Sequence, residues 1–408
     1  MISLFQRKLP ILEHIKDFLA TLLYLSFVVF SNDAMGVYFM VALVLLIFAL
    51  NAAHSKQPIF TRIGLFHRYM LWISLYCFVS ALWAWNPDYA VEKGLTIFEL
   101  LIAFSLLYEC YKNSGVDRLL TIIMWGGFFL SIYTFFFYGI DNLQDTIEEG
   151  ERLENGFANI NTVAMTCSSS IIIAYYLFKK RLNVLDILLC LPCLLVVASS
   201  GSRKAFVMLV AGVIALSVFY SNSKKKNSNK LLTIIGYVFM IIAVSFFIAK
   251  SGIFAGTIER MDEMMPSLTG KSEADSSSMI RAYYRYIGFE QFLKTPILGI
   301  GIGNGVLLAL QHTGRFCYLH CNYAEIAACG GIVGLYIVYW IYFKLIKMEL
   351  RYVKKDPAAV MMLIFLFMNL IMDYGSVSYY GKETYFMFMI FCIHYDSLKS
   401  RNAAIKFI

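Results

Sequence analysis

Residues Leu119–Tyr138 read LLTIIMWGGFFLSIYTFFFY, twenty positions without a charge or a proline. As an α-helix such a run is about 30 Å long, the thickness of a bilayer's hydrocarbon core. Similar runs recur at Phe18–Phe30, Gly36–Leu50, Tyr69–Trp85, Leu95–Tyr111, Ile160–Phe178, Val184–Ser199, Ala205–Tyr220, Leu231–Ala249, Tyr323–Phe343, Ala358–Met372 and Thr384–Tyr395. They are too long and continuous for barrel strands, so each closes its backbone hydrogen bonds as a helix. The expectation is an all-α polytopic membrane protein of about 12 transmembrane helices, the shorter runs borrowing polar flanks. The first run has no small-residue cleavage site after it and reads as a retained span.

Composition points the same way. The chain is 59% hydrophobic and 15% charged over 408 residues, against about 25% charged in soluble domains. A membrane solvent makes it one integral domain, 1–408, rather than several soluble ones. The nine cysteines make no disulfide framework, because Cys77, Cys110, Cys167, Cys190, Cys193 and Cys392 lie inside apolar runs. The CxxC spacing of Cys190 and Cys193 therefore reads as packing.

Lysine and arginine set the orientation. With the N-terminus inside, alternate segments carry 23 of the 35 basic residues, including Lys179, Lys180, Arg181 and the Lys344–Lys355 stretch. The remaining breaks are short or acidic, such as Asn86–Asp88 and Asp141–Glu154. Both termini are expected in the cytoplasm, and the +8 balance faces an anionic leaflet, with no call for nucleic acid. Some basic residues fall on the other side. Arg203 and Lys204 sit at the outer end of the eighth span, and Arg281, Arg285, Lys294 and Arg315 lie in a loop between spans nine and ten, residues 250–320.

That loop is too long to be structureless. Ser276–Ser278 reads as the cap of a short helix from about Met279 to Leu293, ending before Pro296. Arg281, Tyr284, Arg285 and Gly288 share one face of it, a fork for an anion. The glycines of Gly299-Ile-Gly301-Ile-Gly303 permit close backbone approach; no strand–turn–helix unit surrounds them, so they are no dinucleotide fingerprint. His320 then precedes the tenth span, with Asn322 and Tyr323 beside it. His312, Cys317, His320 and Cys321 match no zinc spacing, and Glu149-Gly-Glu151 in its acidic loop reads as a solvated face. Glu99 is expected to be buried within the fourth span.

Three stretches carry a resemblance: SSGSRKAF (Ser199–Phe206), RAYYRYIGFEQFLKTPILGIGIGN (Arg281–Asn304) and HCNYAEIAACGGIVGLYIVYW (His320–Trp340). Together they resemble the O-antigen ligase and polysaccharide polymerase superfamily of bacterial inner-membrane glycosyltransferases. His320, Gly331 and Gly334 match its pattern, whereas Cys321 stands where a small polar residue is usual. The resemblance implies a GT-C-like bundle and a polyprenyl-diphosphate-linked oligosaccharide as donor, with a second lipid-linked sugar as acceptor. Chain-length regulators or export proteins are the partners it suggests.

The residues fit that chemistry. A diphosphate leaving group needs cations more than a general acid, so Arg203 and Arg281 are the expected phosphate forks, with Arg285 and Lys204 in support. His320 is suited to take the acceptor's proton, and Tyr284, Asn322 and Tyr323 are expected to contact substrate. No metal or cofactor is required. Polymerisation of repeat units, as for capsule or exopolysaccharide, is the preferred reading, ligation to another envelope acceptor the alternative. A flippase is the competing class, disfavoured because no internal repeat relates the halves; a peptidoglycan glycosyltransferase lacks the His320 pattern.

Overall fold

The computed structural model describes residues 11–30, 34–54, 63–148, 153, 156–224 and 276–405. Expectations for the ninth run, Leu231–Ala249, for the first part of the 250–320 loop and for Glu149-Gly-Glu151 lie outside them. The described residues form helices and turns, with no strand among them.

The chain begins with α1 (Ile11–Val29), α2 (Ala34–His54), α3 (Leu65–Ser80), α4 (Pro87–Tyr111), α5 (Val116–Tyr138) and the short α6 (Ile140–Glu148). It continues with α7 (Ile160–Arg181), then α8 (Val184–Leu188) and α9 (Cys190–Ser199) divided at Leu189, then α10 (Arg203–Lys224). After the undescribed segment come α11 (Ser276–Lys294), α12 (Gly305–Thr313), α13 (Asn322–Tyr352), α14 (Pro357–Met372) and α15 (Lys382–Ile405). Helix starts follow ordinary capping. Asn86 and Asp356 each accept a backbone N–H two residues on, at 2.9 and 3.0 Å, and each precedes a proline at the first helical position.

Among the described residues, five helices are long and apolar enough to cross a membrane: Met35–Ala53, Val116–Tyr138, Ile160–Arg181, Arg203–Tyr220 and Asn322–Tyr352. Large apolar side chains project outward, Phe136 86% and Phe343 73% exposed, a surface that only a lipid solvent accommodates at this scale. The protein is a multi-pass membrane protein. α7 lies at the centre, packed on α5, α9 and α10. Small residues let it approach α5: a Cβ on Gly127 would fall 1.9 Å from Ser170 Oγ, and the Ser170 hydroxyl donates to the Ile123 carbonyl at 3.0 Å.

The bundle has two chemically distinct ends. At one, Arg118 pairs with Asp17 at 2.7 Å and Arg401 with Asp356 at 2.9 Å. The other end holds Lys204, Arg281 and His320.

Two expectations change. Glu99 is exposed: α4 buries the face of Ala90, Gly94 and Ile97, and Glu99 stands about 200° round from Ile97. The short loop helix begins at Ser276, so the three serines form its first turn rather than a cap outside it.

α13 is broken. Gly331 has φ +61° and ψ −159°, a region open essentially to glycine alone. The break frees the next backbone donors, and the N–H groups of Ile332 and Val333 donate to the Pro296 and Ile297 carbonyls at 2.8 and 3.3 Å. Ile300 N–H in turn donates to Ala328 O at 3.0 Å, and Ile300 O accepts from Trp85 N–H at 3.0 Å. The glycine-rich turn is thus a backbone splint between the broken helix and the α3–α4 connection. At Gly299 (φ +68°) a Cβ would lie 2.4 Å from the Cys329 carbonyl carbon. Gly299→Ala is therefore expected to lower the melting temperature in detergent, by ~2 kcal/mol or more of stability. Gly115→Ala, at a helix N-cap with negative φ and nothing within 4 Å, is the control and is expected to cost less, about a cap's worth; equal melting of the two variants would contradict the splint.

Candidate functional site

A cavity of about 360 Å³ opens among α1, α7, α10, α11, α14 and α15. Lys204, Arg281, Tyr318 and His320 give it a cationic, aromatic wall; Met165, Met208, Met368 and Met387 give it an apolar one. Three stretches distant in sequence thus meet at one place.

His320 is held there by its neighbours. Its φ is +55°, unusual for any residue but glycine, and an anchor on each side enforces it. Before it, the Leu319 N–H donates to the Glu325 carboxylate at 2.9 Å. Gly305 leaves room for that carboxylate, since a Cβ there would fall 2.3 Å from Glu325 Oε1. After it, the Asn322 N–H donates to Asp373 O and Ser376 O at 2.7 and 3.0 Å. The imidazole lies against Tyr318 and Tyr284, with ring centroids 4.3 and 5.6 Å away. Burial, then the charges of Arg281 and Lys204, push its pKa down to about 4, leaving it neutral and able to accept a proton at physiological pH.

The expected residues divide. His320, Arg281 and Lys204 line the cavity. Lys204 Nζ also donates to the Gly375 carbonyl, tying α10 to the α14–α15 connection. Arg203, one position earlier on α10, is half-buried and does not line the cavity. Arg285 is turned to Tyr374, its guanidinium 4.7 Å from the ring. Tyr284 is buried, 2% exposed, and approaches His320 from behind.

Asn322 and Tyr323 are committed to the protein. The Asn322 amide donates to Tyr339 Oη and Asp373 Oδ2 at 2.9 and 3.1 Å, and accepts from the N–H groups of Ser378 and Tyr379 at 3.0 and 3.2 Å. That spends its whole hydrogen-bonding capacity. The Tyr323 hydroxyl donates to Leu370 O at 2.7 Å. Asp373, Asn369 and Glu383 also line the cavity and were missed; Asp373 and Glu383 stand at the ends of apolar runs, where an acid reads as an ordinary boundary, and Asn369 is a single amide inside one. Among the described residues no three His, Cys, Asp or Glu side chains are grouped as metal ligands.

Residues 188–339, from the last residue of α8 to the middle of α13, match the O-antigen ligase family. This matched region covers less than half of the chain. That region holds Lys204, Arg281, His320 and the Gly331 break, and the match supports the ligase and polymerase superfamily. A search of curated proteins finds no match. The cavity's α1, α7, α14 and α15 walls lie outside the O-antigen ligase region.

The electrostatics are open to direct measurement. Histidine carbon NMR on labelled protein is expected to place the His320 midpoint near 4, and Arg281→Gln to move it up toward the ordinary 6.5. Because the fold holds the imidazole neutral, stability falls as pH drops from about 6.5 to about 4. A midpoint unmoved by Arg281→Gln would show that the Arg281 charge has no part in setting it.

Proposed function

We propose that the protein is a glycosyltransferase that polymerises polyprenyl-diphosphate-linked oligosaccharide repeat units. In this reading it works in the bacterial inner membrane, as a GT-C-like bundle of about twelve spans with cytoplasmic termini, and the cavity faces outward. The observation that carries it is the meeting in one cavity of His320, Arg281 and Lys204, three residues of the stretch that matches the O-antigen ligase family.

Each group has a part. The acceptor hydroxyl oxygen attacks the donor's anomeric carbon as the bond from that carbon to the diphosphate oxygen breaks. His320 takes the hydroxyl proton, and the electron pair leaves with the polyprenyl diphosphate. Arg281 and Lys204 hold that developing charge in a site of low dielectric, where fixed cations act most strongly. Lys204 takes the role first given to Arg203, because it is the Lys204 side chain that lines the cavity. The methionine wall offers an adaptable apolar surface for a prenyl chain. No step calls for a metal.

Purified protein with lipid-linked repeat units tests this. His320→Ala is expected to reduce turnover by ~10²–10⁴, and Arg281→Ala to reduce it comparably; full activity of both would remove the site assignment. In a deletion strain, single unpolymerised repeats on the carrier are expected. Full-length chains left on the carrier would instead make the protein a ligase.

A further inference from the structure

We propose that the groove between α13 and α15, at the end of the bundle opposite the cavity, binds an anionic phospholipid of the adjoining leaflet. It is an open groove of about 840 Å³. Tyr336, Trp340, Lys344, Lys347 and Arg351 follow one another along its length. Their spacings of three and four residues put them in one stripe of α13, about 22 Å from end to end. The upper part is aromatic, with Tyr336 71% exposed, and Phe343, two turns further on beside Lys344, is 73% exposed. The lower part is cationic. An acyl chain above and a phosphate below have that order and that length.

The cations have no carboxylate of their own. Among the described residues no acid lies within 4 Å of Lys344, Lys347 or Arg351. Lys344 Nζ sits instead over Trp340, 5.6 Å from the ring centroid, and 6.0 Å from that of Tyr395. Arg68, from α3, adds its field to that of Arg351 at Tyr395. The neighbouring acid, Asp396, opposes them at that ring, but its carboxylate is turned to the Tyr108 hydroxyl, 2.6 Å away, and makes no ion pair with the groove's cations. A groove of about 650 Å³ lined by α1, α5 and α7 at the same end makes the contrast. There Arg118 is neutralised by Glu13 and Asp17 at 2.5 and 2.7 Å. Of these two grooves, it is the α13–α15 one that joins an apolar wall to positive side chains without a carboxylate partner, the complement of an anionic headgroup with its chain.

The full chain in nanodiscs of equal phosphatidylglycerol and phosphatidylcholine, transferred to detergent and weighed by native mass spectrometry, tests this. Wild type is expected to keep phosphatidylglycerol in preference, and Lys344→Gln/Lys347→Gln/Arg351→Gln to lose that preference ~tenfold. Lys354→Gln/Lys355→Gln, beyond the groove, is expected to keep it. Should the triple variant fail to fold, exposed Lys347→Gln alone is read for a smaller loss in the same direction. Equal retention of the two lipids, wild-type retention by the folded variants, or equal loss in the Lys354/Lys355 control would overturn the proposal. Displacement of the lipid by excess inorganic phosphate would overturn it too, assigning the cations to a soluble anion.

Discussion

A backbone N–H in the apolar part of a membrane protein must find an acceptor within the protein, because the surrounding lipid offers none. At Gly331 the long helix α13 opens, and two donors lose their own carbonyls. Pro296 and Ile297 supply replacements. A proline suits this place, since it offers a carbonyl and has no N–H of its own to satisfy. From that pairing the rest of this end of the structure follows. The glycine turn lies flat against the broken helix, and the Asn304 side chain links it to both backbone groups of Asn86. α12 starts at Gly305, where the missing Cβ makes room for Glu325, and Glu325 holds the segment that presents His320. A helix without the break would leave no reason for this segment to sit where it does.

The same logic explains the strained histidine. A positive φ at His320 is unfavourable by itself, and it persists because both flanking peptides are committed. Glu325 takes one and the Asp373–Ser376 backbone takes the other. Asn322 then connects the start of α13 to Asp373 and to the approach to α15. The apolar side of the cavity, from α14 and α15, is thereby locked to the polar side. The Asn322 amide at the centre of this network uses all its donors and acceptors, which holds it rigid rather than reactive.

Much of this was legible from the chain. Apolar run length located most of the long described helices, and two of the basic residues singled out by charge pattern, Lys204 and Arg281, line the cavity. The glycine-rich turn was read as a place of close approach, and so it is, although its partner could not be read. Periodicity continues straight through Gly331, so nothing local distinguishes a broken helix from an unbroken one. Adjacent residues on a helix differ by about 100° in direction; which of Arg203 and Lys204 faces a cavity depends on where the cavity is. Asn322 beside a histidine reads as a substrate contact until its four hydrogen bonds are counted. Glu99 failed for the same reason as Arg203: helical phase is fixed by packing partners that the sequence does not name.

In the proposed reaction the cations and the base are coupled. Arg281 and Lys204 help to depress the His320 imidazole to about 4, so in the empty cavity it is neutral but a weak base. A bound diphosphate brings negative charge to those cations and cancels much of their field at the imidazole. The base then strengthens when, and only when, the donor is in place. Burial still holds the pKa below its ordinary value, so the imidazole remains unprotonated and ready for the acceptor hydroxyl. Once the diphosphate leaves, the cations again oppose the new imidazolium and drive its proton off. One pair of positive charges thus stabilises the leaving group, times the base and resets it, which requires the donor to arrive before the acceptor can be activated.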